Sequence, residues 1–235
     1  MTHAIPYGSA HLIFSLERRT RKTLAIHVYP SGAVSVIAPF DAPLEKIHEK
    51  VKKRAAWITR QKLFFQQFQP GRTPQLYESG AACRYLGRQY RLKVQMSIQE
   101  RVAMSGGTIV VYTHTPKRSE RVQRLLEDWQ RQKAKERLHE RVKAVLERFP
   151  DPDAVTPTGI IIRSLDARWG SMTPAGNLVL NPRLIGASVP CIDAIITHEL
   201  CHRVHPNHSP AFWRFLNQVY PEWQKYKTKL ERDLC

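Results

Sequence analysis

An α+β fold is what this sequence predicts, and three observations predict it. Short runs rich in β-branched and aromatic residues, bounded by turn residues, occupy much of the first half. Stretches with apolar residues at helical spacing interrupt and follow them. The last third holds two more helical stretches, one of which carries a histidine pair four residues apart.

The elements follow in chain order. Leu12-Ile13-Phe14 and Thr23 to Val28 read as strands, Pro30-Ser31-Gly32 as a turn, and Val34 to Pro39 as the returning strand of a hairpin. From Pro43 to Phe68 the period lengthens. Leu44, Ile47, Val51, Ala55 and Ile58 recur at helical spacing, with Lys50, Lys52, Lys53 and Arg54 among them. Pro70-Gly71 and Pro74 break that helix. Ala82 to Leu86 then leads through Gly87 into Tyr90 to Val94, and Gly106-Gly107 precedes a strand at Thr108 to Tyr112.

Ser119 to Phe149 predicts one long charged helix. Val122, Leu125, Leu126, Trp129, Leu138, Val142, Val145 and Leu146 form its apolar stripe, and Pro150 and Pro152 end it. Gly159 to Arg163 reads as a strand. Arg168 to Ser171 and Asn177 to Asn181 read as two short strands around Pro174-Ala175-Gly176. Pro190 marks the approach to a helix over Cys191 to Val204, and a last helix starts at Pro210 and runs past Tyr220. The expected organisation is a β-rich and helical portion over 1–150 and a metal-binding portion over 151–235, read together as one compact unit.

The bulk numbers narrow the class. At 235 residues and 42% hydrophobic content, the chain can bury a full core. Its net charge of +17 favours anionic partners such as nucleic acid or nucleotides; the plainer reading is solubility by self-repulsion. Met1 to Ala10 has no apolar run of signal type, and no stretch approaches the ~18 apolar residues of a membrane span. Cys83, Cys191, Cys201 and Cys235 are scattered without a Cys-x-x-Cys pair, which argues against a disulfide framework or a cysteine zinc site. A cytoplasmic protein with reduced thiols and no membrane partner is the expectation.

The chemistry concentrates at His198-Glu199-Leu200-Cys201-His202, with His208 six residues on. Two imidazoles four apart on a helix can grip one zinc ion, and the glutamate between them can handle a proton. By chance this five-residue pattern arises in about one chain in fifty of this length, and a third histidine at a fixed offset in about one in a thousand. On a wheel at about 100° per residue, Ile192, Ile196, Leu200 and Val204 share one face and the two histidines lie roughly opposite.

His205 and His208 compete as third ligand. Pro206 pushes His205 out of helical geometry, so the helix should end near Val204 and the turn at His205-Pro206-Asn207 should swing His208 back over the metal. His205 then supports the ligands from behind, faces substrate or is merely exposed. Three protein ligands leave a fourth position for water, as a catalytic zinc requires, and Glu199 is placed as general base. A closed structural zinc site is the competing class. Cys201 is poorly placed to close it, about 60° around the helix from His198.

Arg168-Trp169-Gly170-Ser171, Leu180-Asn181-Pro182-Arg183-Leu184, His198-Glu199-Leu200-Cys201-His202 and Asn207-His208-Ser209-Pro210-Ala211-Phe212-Trp213, in this order, resemble the YgjP-like metal-dependent hydrolase family, which is related to the SprT-like and WLM zincin metallopeptidases. Trp57-Ile58 and Tyr85 to Tyr90 resemble it less specifically. The resemblance implies a zincin-like fold with a small sheet packed on the active-site helix. It also implies zinc on His198, His202 and His208, with Glu199 as base. Met172 departs from a pattern that often has cysteine after Trp-Gly-Ser, so a role for a thiol there is in doubt.

Two substrate classes follow. Members of the family it resembles are usually labelled peptidases by motif and some are described as nucleotide pyrophosphatases, so the resemblance does not settle the substrate; a cleft bordered by short strands favours peptide or protein, bound by strand addition. The basic excess favours nucleotide phosphoanhydrides, or a protease recruited to nucleic acid. Arg168 and Asn181 are candidates to contact substrate or steady the cleft.

Overall fold

The computed structural model describes residues 2–8, 10–29, 31–66, 76–165 and 168–234. The expected turn residue Pro30, the tail of the first helix to Phe68, the breaks at Pro70-Gly71 and Pro74, and Cys235 lie outside the described residues. Contacts divide the chain into two units, 1–72 and 73–234. The division falls at 72/73 and not near 150, because the long helix shares its core with the helix of the histidine pair.

Among the described residues, the first unit is a four-stranded sheet with two helices. β1 (Thr2–Tyr7), β2 (Ala10–Arg19), β3 (Ala25–Val28) and β4 (Val34–Pro39) lie in the order β1-β2-β4-β3. β3 and β4 form the expected hairpin, Ala25 opposite Ile37 and Val28 opposite Val34. β2 runs parallel to β4 and antiparallel to β1. Alternation puts Leu12 and Phe14, then Val34, Val36 and Ala38, on the buried face. Ile47 and Val51 of α1 (Leu44–Lys53), with Ala55 and Ile58 of α2 (Ala55–Gln66), cover that face. The single helix expected from Pro43 is therefore two, parted at Arg54. Lys50, Lys52 and Lys53 crowd the last turn of α1, where cations suit the negative end of a helix. β1 has no sequence signal of its own; it forms by pairing with β2.

The second unit holds two sheets and five α-helices among the described residues. β5 (Ala82–Tyr85), β6 (Arg88–Met96), β7 (Arg101–Ser105) and β8 (Thr108–Thr113) lie in the order β5-β6-β8-β7. β7 was not expected; its residues are half-buried or exposed, so no alternation marks it. α3 (Ser119–Leu146) buries Val122, Leu126, Trp129, Leu138, Val142 and Val145. After the short α4 (Pro152–Val155) come β9 (Gly159–Ile162), β10 (Gly170–Met172) and β11 (Asn177–Leu180). These form a mixed three-stranded sheet in the order β10-β11-β9, with β10 at an edge. A 3-10 turn at Pro182–Gly186 leads into α5 (Val189–Cys201), followed by α6 (Pro210–Val219) and α7 (Trp223–Leu234).

Packing differs from the wheel in two respects. α5 is enclosed on nearly every side, Asp193, Thr197 and Glu199 included. It ends at Cys201, three residues before Val204, which is exposed and not part of the apolar face. The last helix is two, because Tyr220 leaves helical geometry ahead of Pro221. The β5–β6 turn seats against the start of α5. Leu86 and Gly87 donate backbone N–H groups to Ile185 and Gly186 at 2.7 and 3.2 Å. Gly87 has φ +79°, and a Cβ there would lie 2.6 Å from Ser188, so only glycine fits.

Candidate metal centre

α5 supplies the first two histidines. Pro190 in its first turn suits a position that needs no N–H, and Ile192, Ile196 and Leu200 anchor it in the core. Asp193 fixes it to α3: Arg141 grips both carboxylate oxygens at 2.9 Å, and Arg148 adds a 2.6 Å bond. His198 and His202 then lie one turn apart with ring centroids 5.1 Å from each other.

The chain beyond α5 brings in the third histidine. His205 N–H bonds to the Cys201 carbonyl at 2.9 Å, the chain turns through Pro206, and Ser209 starts α6 as N-cap, accepting from the Phe212 N–H. His208 stands just before that cap. Its ring lies 5.0 Å from His198 and 4.6 Å from His202, centroid to centroid. One ring nitrogen from each of His198, His202 and His208 falls within 4.8 Å of the others. The Nε2 atoms of His198 and His208 are 3.0 Å apart, close to the about 3.3 Å that two ligands take on a tetrahedral zinc with bonds near 2.0–2.1 Å.

The donor set fits a divalent ion. Burial, then the neighbouring His202 and His208, pushes His198 down to about 3. Burial also lowers His202 and His208. All three are therefore neutral at pH 7, the form that binds metal. Nδ1 of His202 lies 3.1 Å from the His205 carbonyl, which selects the tautomer with a free Nε2. His205 itself stands outside the triad, its ring edge-on to Phe215. Its backbone, not its imidazole, serves the site.

Glu199 is 9% exposed and sits against the edge of β10. Trp169 and Thr173 use their carbonyl and N–H to bond across to β11. Two-residue alternation turns the Met172 N–H the other way, and it donates to Glu199 Oε2 at 3.0 Å. Burial pushes the Glu199 carboxyl up to about 7, opposed by the Met172 N–H and by the charges of Arg168 and Lys227. Gly170 lets this approach happen, since a Cβ there would lie 2.8 Å from Glu199 Cγ.

The remaining candidates separate. Arg168 is exposed and close enough for its charge to act on Glu199. Asn181 is 2% exposed and committed to the chain itself. Its amide donates to the carbonyls of Leu165 and Arg168 at 2.8 and 3.1 Å, and its carbonyl oxygen accepts from the Arg183 N–H. These bonds steady the loop before β10. Cys201 is buried and free, with its thiol pushed up to about 12 by burial.

Several functional features escaped the sequence. Phe212 is fully buried beneath all three histidines, stacked on His202 at 4.7 Å and edge-on to His198 and His208 at 5.0 and 4.7 Å. Trp213 stacks on His208 at 5.2 Å and on Trp223 at 5.1 Å. Lys227 places a second cation near the site. Only Phe212 and Trp213 had a signal, their fixed distance from His208.

A family model described as YgjP-like, metallopeptidase domain, matches residues 22–233. The chain belongs to the YgjP-like family. Its three histidines thus lie in a metallopeptidase domain, a metal-dependent hydrolase by class. No curated protein and no solved structure matches the chain. No helix among the described residues is long and apolar enough to cross a membrane.

Proposed function

We propose that this YgjP-like protein is a zinc-dependent peptidase of zincin-like architecture, with one zinc ion on His198, His202 and His208 and Glu199 as general base. The triad carries this reading: three neutral imidazoles whose ligand atoms lie within 4.8 Å, with a buried carboxyl on the residue between two of them. Zinc held by three protein ligands keeps a position open, polarises a carbonyl oxygen and lowers the pKa of water to about 7.

Glu199 takes the proton of the attacking water and passes it to the leaving amine nitrogen. Burial favours its protonated form, while the Met172 N–H and the cations Arg168 and Lys227 favour the carboxylate. This balance lets one group accept and release a proton near neutral pH. β10 is an edge strand, and we assign the backbone groups of its outer edge, other than the Met172 N–H that is bonded to Glu199, to an extended peptide by strand addition. Arg168 is the side chain we assign to the substrate side.

One observation favours a second reading. Arg168 and Lys227 put two cations beside the site, which suits the oxygens of a nucleotide phosphoanhydride. Both readings are tested together by incubating the zinc form with an unstructured protein and, in parallel, with nucleoside triphosphates, against Glu199→Gln. Peptide cleavage lost in the variant supports the peptidase. Pyrophosphate or phosphate release lost in the variant supports the second reading. Absence of both activities overturns both.

A further inference from the structure

Two basic runs, Arg18 to Lys22 and Lys50 to Arg54, lie in the first unit. The first unit brings members of both around one cavity of about 450 Å³. Arg21 and Lys22, from the connection between β2 and β3, line one side; Lys46 and Lys50 of α1 line another. Asp41 is the single carboxylate residue in that lining. Four cations against one anion repel each other, and an entering anion relieves the repulsion.

Three further observations point the same way. The Nε atom of Arg21 is buried and has no hydrogen-bond partner among the described residues. Arg21 also lines the cavity, so its charge acts on an anion there. Arg18 makes the contrast. Its Nη1 donates to the carbonyls of Pro39, Phe40 and Ala42 at 3.2, 2.8 and 2.9 Å, so it is spent on fastening the segment that leads into α1. That segment ends at Pro43, the N-cap of α1, which makes no side-chain cap bond. The positive end of the helix dipole therefore adds to the four side-chain charges at the cavity.

We propose that this cavity is a phosphate-binding site that takes consecutive phosphate groups, from a short free polyphosphate or from a nucleic-acid backbone. Its size is that of a small-ligand site, about 300–1,000 Å³, and exceeds what one carboxylate fills. Several cations around a guanidinium fork match the charge density and geometry of phosphate better than those of a singly charged carboxylate. The proposal does not depend on the peptidase reading.

Calorimetric titration of the full chain tests it, with sodium tripolyphosphate in one arm and a single-stranded oligothymidylate in the other. Each is repeated on Lys46→Glu/Lys50→Glu. The expected result is saturable binding that weakens steeply with salt and is lowered roughly tenfold or more in the double variant. Binding of tripolyphosphate alone identifies free polyphosphate as the ligand. Oligonucleotide binding that tripolyphosphate displaces identifies the backbone. The Arg21 Nε–H resonance of the unmutated protein is a second readout, and it moves as the ligand saturates. The proposal is overturned if neither anion binds saturably at about 50 mM salt. It is overturned equally if a folded double variant binds with unchanged affinity, or if the Arg21 resonance stays in place at saturation.

Discussion

The backbone N–H of Met172 donates to Oε2 of Glu199 at 3.0 Å, across 27 residues of sequence. On the Met172 side the contact uses main chain only, so the side chain at 172 is free to vary and no thiol is needed there. Met172→Ala and Met172→Cys keep kcat/KM within about twofold. Gly170→Ala does not: the new Cβ would meet Glu199 Cγ at 2.8 Å and Ile195 Cγ2 at 3.2 Å, and displacing the proposed base is expected to cost roughly a hundredfold in turnover. Steady-state kinetics on the three variants checks both outcomes.

Phe212 is the floor of the triad, touching all three imidazoles from below. Phe212→Ala leaves a cavity in a fully buried position and lowers stability by about 3–5 kcal/mol. It also loosens the ligand set, with metal affinity falling about 10- to 100-fold. Denaturant unfolding and competition with a chromophoric chelator measure the two effects separately.

The salt bridge of Asp193 with Arg141 and Arg148 is largely closed to water on the carboxylate side, where side-chain exposure is 3%. Asp193→Ala removes the anion and leaves two guanidinium groups facing a buried helix. Both keep partial access to solvent, so the expected loss is about 3 kcal/mol, at the low end for a broken buried pair. Equilibrium unfolding of the metal-free protein measures it without interference from ligand binding.

How much of this was legible in the sequence depends on range. The histidine spacing, the turn forced by Pro206 and the helix restart at Ser209-Pro210 are local, and they place His198, His202 and His208 without reference to the rest of the chain. Ile192, Ile196 and Leu200 follow from period alone. Val204 does not: the helix ends at Cys201, residues 202–204 continue as hydrogen-bonded turn, and Val204 is left exposed. The Met172–Glu199 bond, the Phe212 platform and the Arg141–Asp193 pair join residues far apart in sequence, so period and composition carry no trace of them. The motif leaves Asn181 two places, contacting substrate or steadying the cleft, and only its burial and its bonds to distant carbonyls favour the second. β1 and β7 were missed for a related reason, since each owes its strand form to a neighbouring strand.

Titration of the metal-free protein separates Glu199 from the histidines. His198, lowered to about 3, contributes stability that is complete above about 6.5 and is lost as pH falls toward 3. Glu199, raised to about 7, acts in the opposite sense: its contribution is complete below 4.5 and is lost as pH rises through 7. In Glu199→Gln only the first effect remains. Relative to that variant, the unmutated protein therefore loses melting temperature between pH 4.5 and pH 7. A constant difference across that range would mean that the Glu199 carboxyl is not raised.

Zinc content per chain after dialysis, determined by elemental analysis for the unmutated protein, His208→Ala and His205→Ala, tests the central claim most directly. The account predicts about one ion per chain in the unmutated protein, loss of the ion in His208→Ala, and retention in His205→Ala, whose backbone carbonyl still orients His202. Full occupancy in His208→Ala, or loss confined to His205→Ala, would contradict it.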